Sequence, residues 1–344
     1  EVLSSIFVDA AIDSIAILPD DQRLVIAGYD GVVRIVDANT GITEREFYML
    51  KHRRKLAMHT LYVSNDGNTV YAGASEHGFL IDLIENQVTE IKQTDDIIAK
   101  GDSKTVDFER VYLNSDGRSI WLPHANGNLW TYDTQTEQWH ERTDTNKNGG
   151  FSYFKLSPNG KQIAFGGIEG QIKVAELETF EVIQEIQTGA EFPIVEMAWS
   201  PSGKYLLVAN TEHDSFAITL GDEPAVQSVF EREWYIVGFS WLPKDSGVSL
   251  RTGSYGRILV DNPLLEGASF QLDGATIERI VFPRVVLTSD GKYAITSETD
   301  NVHVYDRKSG KVITTLIEDE GVGYIALSQD ESKIAINGFG SGNQ

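Results

Sequence analysis

The sequence predicts an all-β chain built from repeated four-stranded antiparallel units, and three observations carry that prediction. The first is a polar turn that recurs eight times. It appears as Pro19-Asp20-Asp21-Gln22, Ser64-Asn65-Asp66-Gly67, Asn114-Ser115-Asp116-Gly117, Ser157-Pro158-Asn159-Gly160 and Ser200-Pro201-Ser202-Gly203. It continues as Pro243-Lys244-Asp245-Ser246-Gly247, Thr288-Ser289-Asp290-Gly291 and Ser328-Gln329-Asp330-Glu331. The second is what flanks each turn: short runs rich in Ile, Val and Phe, bounded by Gly, Pro, Asn or Ser, which is the pattern of an antiparallel meander. The third is the period. With Asp21 and Asp330 taken as the same position, seven intervals average about 44 residues, and a repeat of that length with four strands marks a β-propeller blade.

Taken in order, residues 1–8 (EVLSSIFV) have no turn before them and read as a strand that closes the ring onto the last blade. Blade one covers 12–48, with strands at Ile12–Leu18, Arg23–Ala27, Val32–Asp37 and Thr43–Tyr48. Blade two covers 57–91 and ends before a polar insertion, Lys92–Lys104. Blade three covers 108–142. Blade four, 151–186, is the plainest unit, with strands at Phe151–Leu156, Gln162–Phe165, Ile172–Leu177 and Val182–Ile186. Blades five and six cover 194–230 and 235–272, and blade seven, with an expanded entry at Ile277–Leu287, covers 277–316. An eighth unit opens with Val322–Leu327 and Lys333–Ile336, then runs into Gly338-Phe339-Gly340-Ser341-Gly342; this last blade, 322–344, borrows residues 1–8. Eight blades is the count the turns predict, seven the alternative. The whole chain, 1–344, reads as one propeller domain.

Strands that end in Asp recur after the glycine breaks: Val36-Asp37, Ile81-Asp82, Tyr132-Asp133, Val260-Asp261 and Tyr305-Asp306. With these residues the chain resembles the WD-repeat and YVTN-type propellers, carrying Val, Ile or Tyr where the WD-repeat family prefers Trp. The resemblance covers nearly the whole chain. It implies that the loops joining second to third strands, and those joining successive blades, crowd the face on which such propellers bind partners. It implies no particular activity, because the architecture hosts scaffolds and enzymes alike.

Composition narrows the function classes. The formal net charge is −22, from 51 acidic and 29 basic residues, a surface that repels nucleic-acid backbones and anionic lipid. Direct membrane insertion is not expected either, since no apolar run approaches the ~18 residues a spanning helix needs. There is no cysteine, which excludes disulfides and thiolate-ligated metals. A cysteine-free chain suits an oxidising compartment and favours a periplasmic or secreted location over the cytoplasm. The chain begins at Glu1 rather than Met, as a processed or excised piece would.

Against this acidity, Lys51-His52-Arg53-Arg54-Lys55 stands out as a basic cluster in the connection between blades one and two. Concentrated Arg can hold carboxylate or phosphate in a bidentate fork, so an acidic or phosphorylated segment of another protein is the ligand it suits. The plainer alternative is a solvated loop pairing with nearby acids. Tyr29, Trp234, Tyr235, Tyr255 and Phe339 fall in loops of the same expected face, where exposed aromatics beside Arg anchor interfaces. Packing onto their own blades is the competing account. Asp144-Thr145-Asn146-Lys147-Asn148-Gly149 matches the opening of a calcium loop, with Asp144, Asn146 and Asn148 as ligands. Lys155 stands where the twelfth-position Glu belongs, so an Asx-rich turn explains the stretch as well. His77, His124 and His213 fall in equivalent second-to-third-strand loops, and could converge on a metal or carry protons. No HExxH, G-x-S-x-G or P-loop pattern occurs, and no cofactor is predicted.

The reading that unites these features is a non-enzymatic propeller that presents its loop face to another protein or domain. The alternatives are a propeller enzyme or cofactor-binding protein with its site at the mouth of the central channel, and a calcium-stabilised adhesion module.

Overall fold

The computed structural model describes residues 11–51, 54–92, 108, 111–114, 116–123, 129–141, 151–212, 214–230, 238–241, 249–252, 258–261, 270–271, 284–297, 301–306, 309–317 and 321–339. Within them the structure is all β. Sheet one holds β1 (Ile12–Ile17), β2 (Arg23–Gly28), β3 (Val32–Asp37) and β4 (Thr43–Tyr48). A small hairpin follows, β5 (Leu50–Lys51) and β6 (Arg54–Lys55). Sheet two holds β7 (Thr60–Val63), β8 (Thr69–Ala74), β9 (His77–Asp82) and β10 (Gln87–Ile91). Sheet three holds β11 (Tyr112–Leu113), β12 (Ser119–Pro123), β13 (Leu129–Asp133) and β14 (Gln138–Glu141). Sheet four holds β15 (Phe151–Leu156), β16 (Gln162–Gly167), β17 (Gln171–Glu176) and β18 (Val182–Gln187). Sheet five holds β19 (Ile194–Trp199), β20 (Tyr205–Asn210), β21 (Ser215–Thr219) and β22 (Ala225–Phe230). Sheet six holds β23 (Gly238–Trp241), β24 (Ser249–Thr252), β25 (Ile258–Asp261) and β26 (Phe270–Gln271). Sheet seven holds β27 (Arg284–Leu287), β28 (Tyr293–Ser297), β29 (Val302–Asp306) and β30 (Lys311–Ile317). A two-stranded sheet, β31 (Gly321–Leu327) and β32 (Ile334–Phe339), comes last.

Each four-stranded sheet is an antiparallel meander in chain order. The turn between first and second strands explains why. Its fourth residue adopts a left-handed backbone, at Gly67 (φ 71), Gly117 (φ 72), Gly160 (φ 65), Gly203 (φ 74) and Gly291 (φ 65). In each, that residue's N–H bonds back to the carbonyl three residues earlier. Two turns place an acid there instead, Asp21 (φ 55) and Glu331 (φ 59). Asp21 is therefore equivalent to Glu331, and Asp20 to Asp330, which moves the alignment of the outermost turns by one residue from the one spacing suggests.

The eight-blade expectation is also corrected. The eighth unit supplies two strands among the described residues, and the segments expected to add to it, 1–8 and 340–344, lie outside them. Eight four-stranded blades are not what the sheets show, and a closed ring of seven is not shown either. Among the described residues no helix is long and apolar enough to cross a membrane.

The chain divides into two compact units, Glu1–Asp144 with Gly323–Phe339, and Thr145–Val322 with Gly340–Gln344. In the first unit a core joins sheets one and two through Val25, Val33, Ile35, Met49, Met58, Val70 and Ile81, all fully buried. The terminal hairpin packs beside β1: Ala335 and Ala326 join a cluster with Leu24, Ile26, Ile12 and Ile15. Asn337 Nδ2 donates to the Ile12 carbonyl at 2.8 Å, and Lys333 Nζ to the Asp21 carbonyl at 2.9 Å. In the second unit the core between sheets four and five is built from Ile172, Val174, Ile186, Ile194, Met197, Leu206, Val208 and Ile218.

Neighbouring sheets are stapled by bonds that span about one repeat. Trp199 Nε1 donates to the Lys155 carbonyl and Trp241 Nε1 to the Ala198 carbonyl, both at 3.0 Å. On the outer strands, Arg45 Nη1 donates to the Leu83 carbonyl at 2.5 Å. Gln184, the equivalent residue of β18, donates to the Gly221 carbonyl. Repetition of sequence thus becomes repetition of contacts between sheets one and two, four and five, and five and six.

Candidate functional site

The site is assembled in the first unit, where the turn between β2 and β3 meets the connection into sheet two. Strand β2 ends at Gly28, where no side chain fits: a Cβ would lie 2.0 Å from the Ala11 carbonyl oxygen. The turn Tyr29-Asp30-Gly31 follows, with Gly31 at φ 69. It is locked by the chain that returns from β4: Met49 N–H donates to Gly31 O at 2.7 Å and Met58 N–H to Gly28 O at 3.0 Å. Met49 and Met58 are fully buried on either side of the small hairpin, so two apolar anchors hold its root.

Between those anchors β5 and β6 pair Leu50 with Lys55 and Lys51 with Arg54. The sequence suggests a loop here; the structure gives two paired antiparallel strands. Lys51, Arg54 and Lys55 are strand residues of that hairpin, while His52 and Arg53 lie outside the described residues. Its root rests on the turn that carries Tyr29, so the cationic stretch and one predicted aromatic belong to one place.

Tyr29 is 56% exposed. Its ring meets the imidazole of His59 edge-on, centroids 5.4 Å apart and planes at 82°. His59 in turn donates from Nδ1 to the Asp13 carboxylate. Asp13 reaches it from a β-bulge, the irregularity between Ile12 and Ser14 in the pairing of β1 with β2. Bulges recur at the same place in β15 and β19, so the rim is a built feature of the repeat. The Asp13 carboxylate fixes the imidazole's tautomer and orientation.

Beside Tyr29, Asp30 caps Val32 N–H (3.1 Å) and pairs with Arg34 at 2.5 Å. Arg34 also reaches Glu46 at 3.1 Å, and the Tyr48 hydroxyl donates to the other Glu46 oxygen at 2.6 Å. Burial works against the Arg34 charge, but its bonds to Asp30 and its attraction to Asp30 and Glu46 prevail and hold its pKa above the ordinary value. The Glu46 hydrogen bond and charge raise that of the Tyr48 phenol, which is 58% exposed. Two exposed tyrosines therefore flank an ion-pair network in which one guanidinium is shared by two carboxylates.

Other expected site residues fall elsewhere. Trp234, Tyr235 and Tyr255 lie outside the described residues, and Phe339 is the last residue of β32. Asp144, Asn146 and Asn148 are outside them as well. Among the described residues no group of three His, Asp or Glu side chains could hold a metal. His77 pairs through Nδ1 with Glu90 at 3.1 Å within sheet two, whereas His124 and His213 are not described.

His59, Asp13, Arg34 and Tyr48 are site residues that the sequence did not single out. One signal points to the first pair: they are 46 residues apart, close to one repeat, and each stands at the mouth of a first strand.

No family model matches the sequence, and no curated protein matches it. Solved structures do: 1832 chains resemble the fold. One is dihydro-heme d1 dehydrogenase NirN in complex with DHE, similar over 90% of this chain and 67% of that one, with a TM-score of 0.65 and 17% identity. At that identity the likeness establishes the fold, a β-propeller of four-stranded antiparallel blades, and nothing finer.

Proposed function

We propose that this propeller is a non-enzymatic binding platform that captures an acidic or phosphorylated segment of another protein at the blade-one corner of its loop face. The observation that carries this reading is the seating of Tyr29, exposed and held edge-on by the Asp13-oriented His59, at the root of a hairpin bearing Lys51, Arg54 and Lys55. An aromatic anchor beside concentrated cations is the composition of an interface hot spot. In a chain of net charge −22 such a patch selects for anionic partners by contrast with everything around it. The terminal hairpin packs beside β1, which would keep this corner rigid.

The test is fluorescence anisotropy with three labelled peptides: Asp/Glu-rich, phosphoserine-containing and Lys-rich. The anionic peptides should bind, more weakly as salt rises, and the Lys-rich one should not. The Lys51→Glu/Arg54→Glu double variant should lose at least about tenfold in affinity, a change of ~1.4 kcal/mol, at unchanged melting temperature. Equal binding by parent and variant removes the hairpin from the site.

A second reading rests on the likeness to NirN, which was solved with DHE bound. Under it this chain is a ligand-binding propeller for a heme-type molecule. His59 is then the residue we assign to meet the ligand, since a carboxylate behind an imidazole is the usual support of a metal-binding ring. A visible absorption change on adding heme, lost in His59→Ala, would favour this reading; an unchanged spectrum excludes it.

A further inference from the structure

Glu196 is the third residue of β19, which lies beside β15 and β23, the first strands of the sheets before and after it. Its bonds are unevenly shared between its two oxygens. Oε1 accepts both the Tyr153 hydroxyl and the Met197 backbone N–H, each at 3.0 Å, while Oε2 accepts none among the described residues. Tyr153 belongs to β15, so one of these bonds crosses the seam between two sheets. Lys155, next but one along β15, places Nζ 5.5 Å from the Tyr153 ring centroid and is the cation that acts on Glu196. The other packed elements bring no charge: β16 reads QIAFGG, β20 YLLVAN and β23 GFSW, and the phenol of β20, Tyr205, stacks on Trp241 instead. The same seam carries the staple from Trp199 Nε1 to the Lys155 carbonyl.

We propose that Glu196 is a proton-operated latch on the β15–β19 seam: ionised it grips Tyr153 across the seam, and protonated it lets that grip slacken. A hydrogen bond to a carboxylate is roughly twice as strong as one to a neutral acid, so protonation weakens the Tyr153–Glu196 tie across the seam. Burial supplies the sensitivity. It works against the charge and holds the Glu196 carboxyl above its ordinary value of 4.5, with Lys155, Met197 and Tyr153 pulling the other way. The latch therefore slackens at a pH where exposed carboxylates remain ionised. This device lies in the second unit and stands independently of the blade-one site.

Trp199 reports the seam directly. In protein labelled with ¹⁵N-tryptophan, its indole N–H resonance is followed from about pH 7 down to about pH 4. The resonance should move with a midpoint above 4.5 and stay fixed in Glu196→Gln. In Tyr153→Phe, which keeps the carboxyl but removes the crossing bond, the movement of the Trp199 resonance should shrink to less than half. A Trp199 signal that stays flat in the parent, or that titrates equally in Glu196→Gln, overturns the proposal. A full response in Tyr153→Phe overturns it too, and this variant decides the matter if the Gln variant does not fold.

Discussion

The carboxylate of Asp21 accepts the backbone N–H of Asp330 at 3.0 Å, across 309 residues of chain, and that of Gln329 at 2.7 Å. Asp21 reaches them from a left-handed backbone (φ 55) that five equivalent turns give to glycine. The conformational cost of an acid there is about 1 kcal/mol. It is offset by two charge-assisted bonds that cap the last turn of the chain onto the first. Asp21→Ala keeps the cost and loses both bonds, so stability should fall by about 1–2 kcal/mol once solvent screening is discounted. Asp21→Asn, which tolerates the same backbone and keeps an acceptor, should recover part of the loss. Thermal melts decide this, and an Asp21→Ala protein that melts like the parent would show the cap to be idle.

Tyr29 exposes more than half of its surface and contributes little to the fold, so Tyr29→Ala should leave the melting temperature unchanged. Its value should appear only on binding. Removal of an aromatic anchor beside a cationic hairpin costs at least ~1 kcal/mol of affinity, read as about a fivefold or greater weakening for the anionic peptides. Tyr29→Phe keeps the edge-on contact with His59 and should bind like the parent. A Tyr29→Ala protein with parental affinity would move the site elsewhere.

Much of the architecture was open to reading from the chain, because the turn chemistry is local. A glycine or an acid after Asp, Asn or Ser, then an apolar run, favours a tight turn into a second strand at each repeat. The one-residue slip at Asp21 has a physical reason. The turn Pro19-Asp20-Asp21-Gln22 carries acids at both central positions, and only the backbone tells which one is left-handed. Tyr29 was legible as an exposed turn aromatic for the same local reason. The Asp13–His59 pair was not, since it depends on a bulge in β1, and a shift of one residue would turn Asp13 to the other side of its strand. The basic cluster read as a loop because its residues show no alternation; what makes it a hairpin lies outside it, in buried Met49 and Met58.

The turns should also set the acid limb of stability. Bonds from the Ser332 backbone, then from the Ser328 and Ser332 hydroxyls, lower the Asp330 carboxyl from 3.8 to about 2. Hydrogen bonds lower Asp66, Asp133 and Asp290 in the same direction. A depressed folded value contributes stability that is full above 3.8 and is lost as pH falls toward about 2. Asp330→Asn should therefore be less stable than the parent at pH 6, and the difference should vanish toward about pH 2. A gap that persists unchanged into acid would mean that the turn's charge is not what matters.

Glu196 carries the opposite sign. Its folded value is raised, so the unfolded chain gives up this proton first as pH climbs past 4.5. Stability is then lost between 4.5 and the folded value, and the cost persists at neutral pH. Glu196→Gln, which can still accept from Tyr153, should melt roughly 2 °C or more above the parent near pH 7. The advantage should shrink as pH approaches about 4.5. A Gln variant less stable than the parent at neutral pH would mean that the ionised carboxylate stabilises the seam more than burial penalises it.

Gly31 ties the fold to the site. Its φ of 69 disfavours any side chain, and a Cβ would sit 2.8 Å from the Leu56 nitrogen and 3.1 Å from the Met49 carbonyl oxygen. Both contacts are backbone at the root of the cationic hairpin, so neither can swing aside. Gly160 has nearly the same backbone (φ 65) with nothing within 4 Å of a Cβ, and so supplies the control. Gly160→Ala should cost only the conformational term, about 1 kcal/mol, and leave peptide binding unchanged. Gly31→Ala should cost more than that, because the hairpin root must lift away from the turn that carries Tyr29. Affinity for the anionic peptides should fall with it, although every cation and the tyrosine remain in the sequence. If the two glycine variants lose equal stability and both bind like the parent, the hairpin root does not position the site.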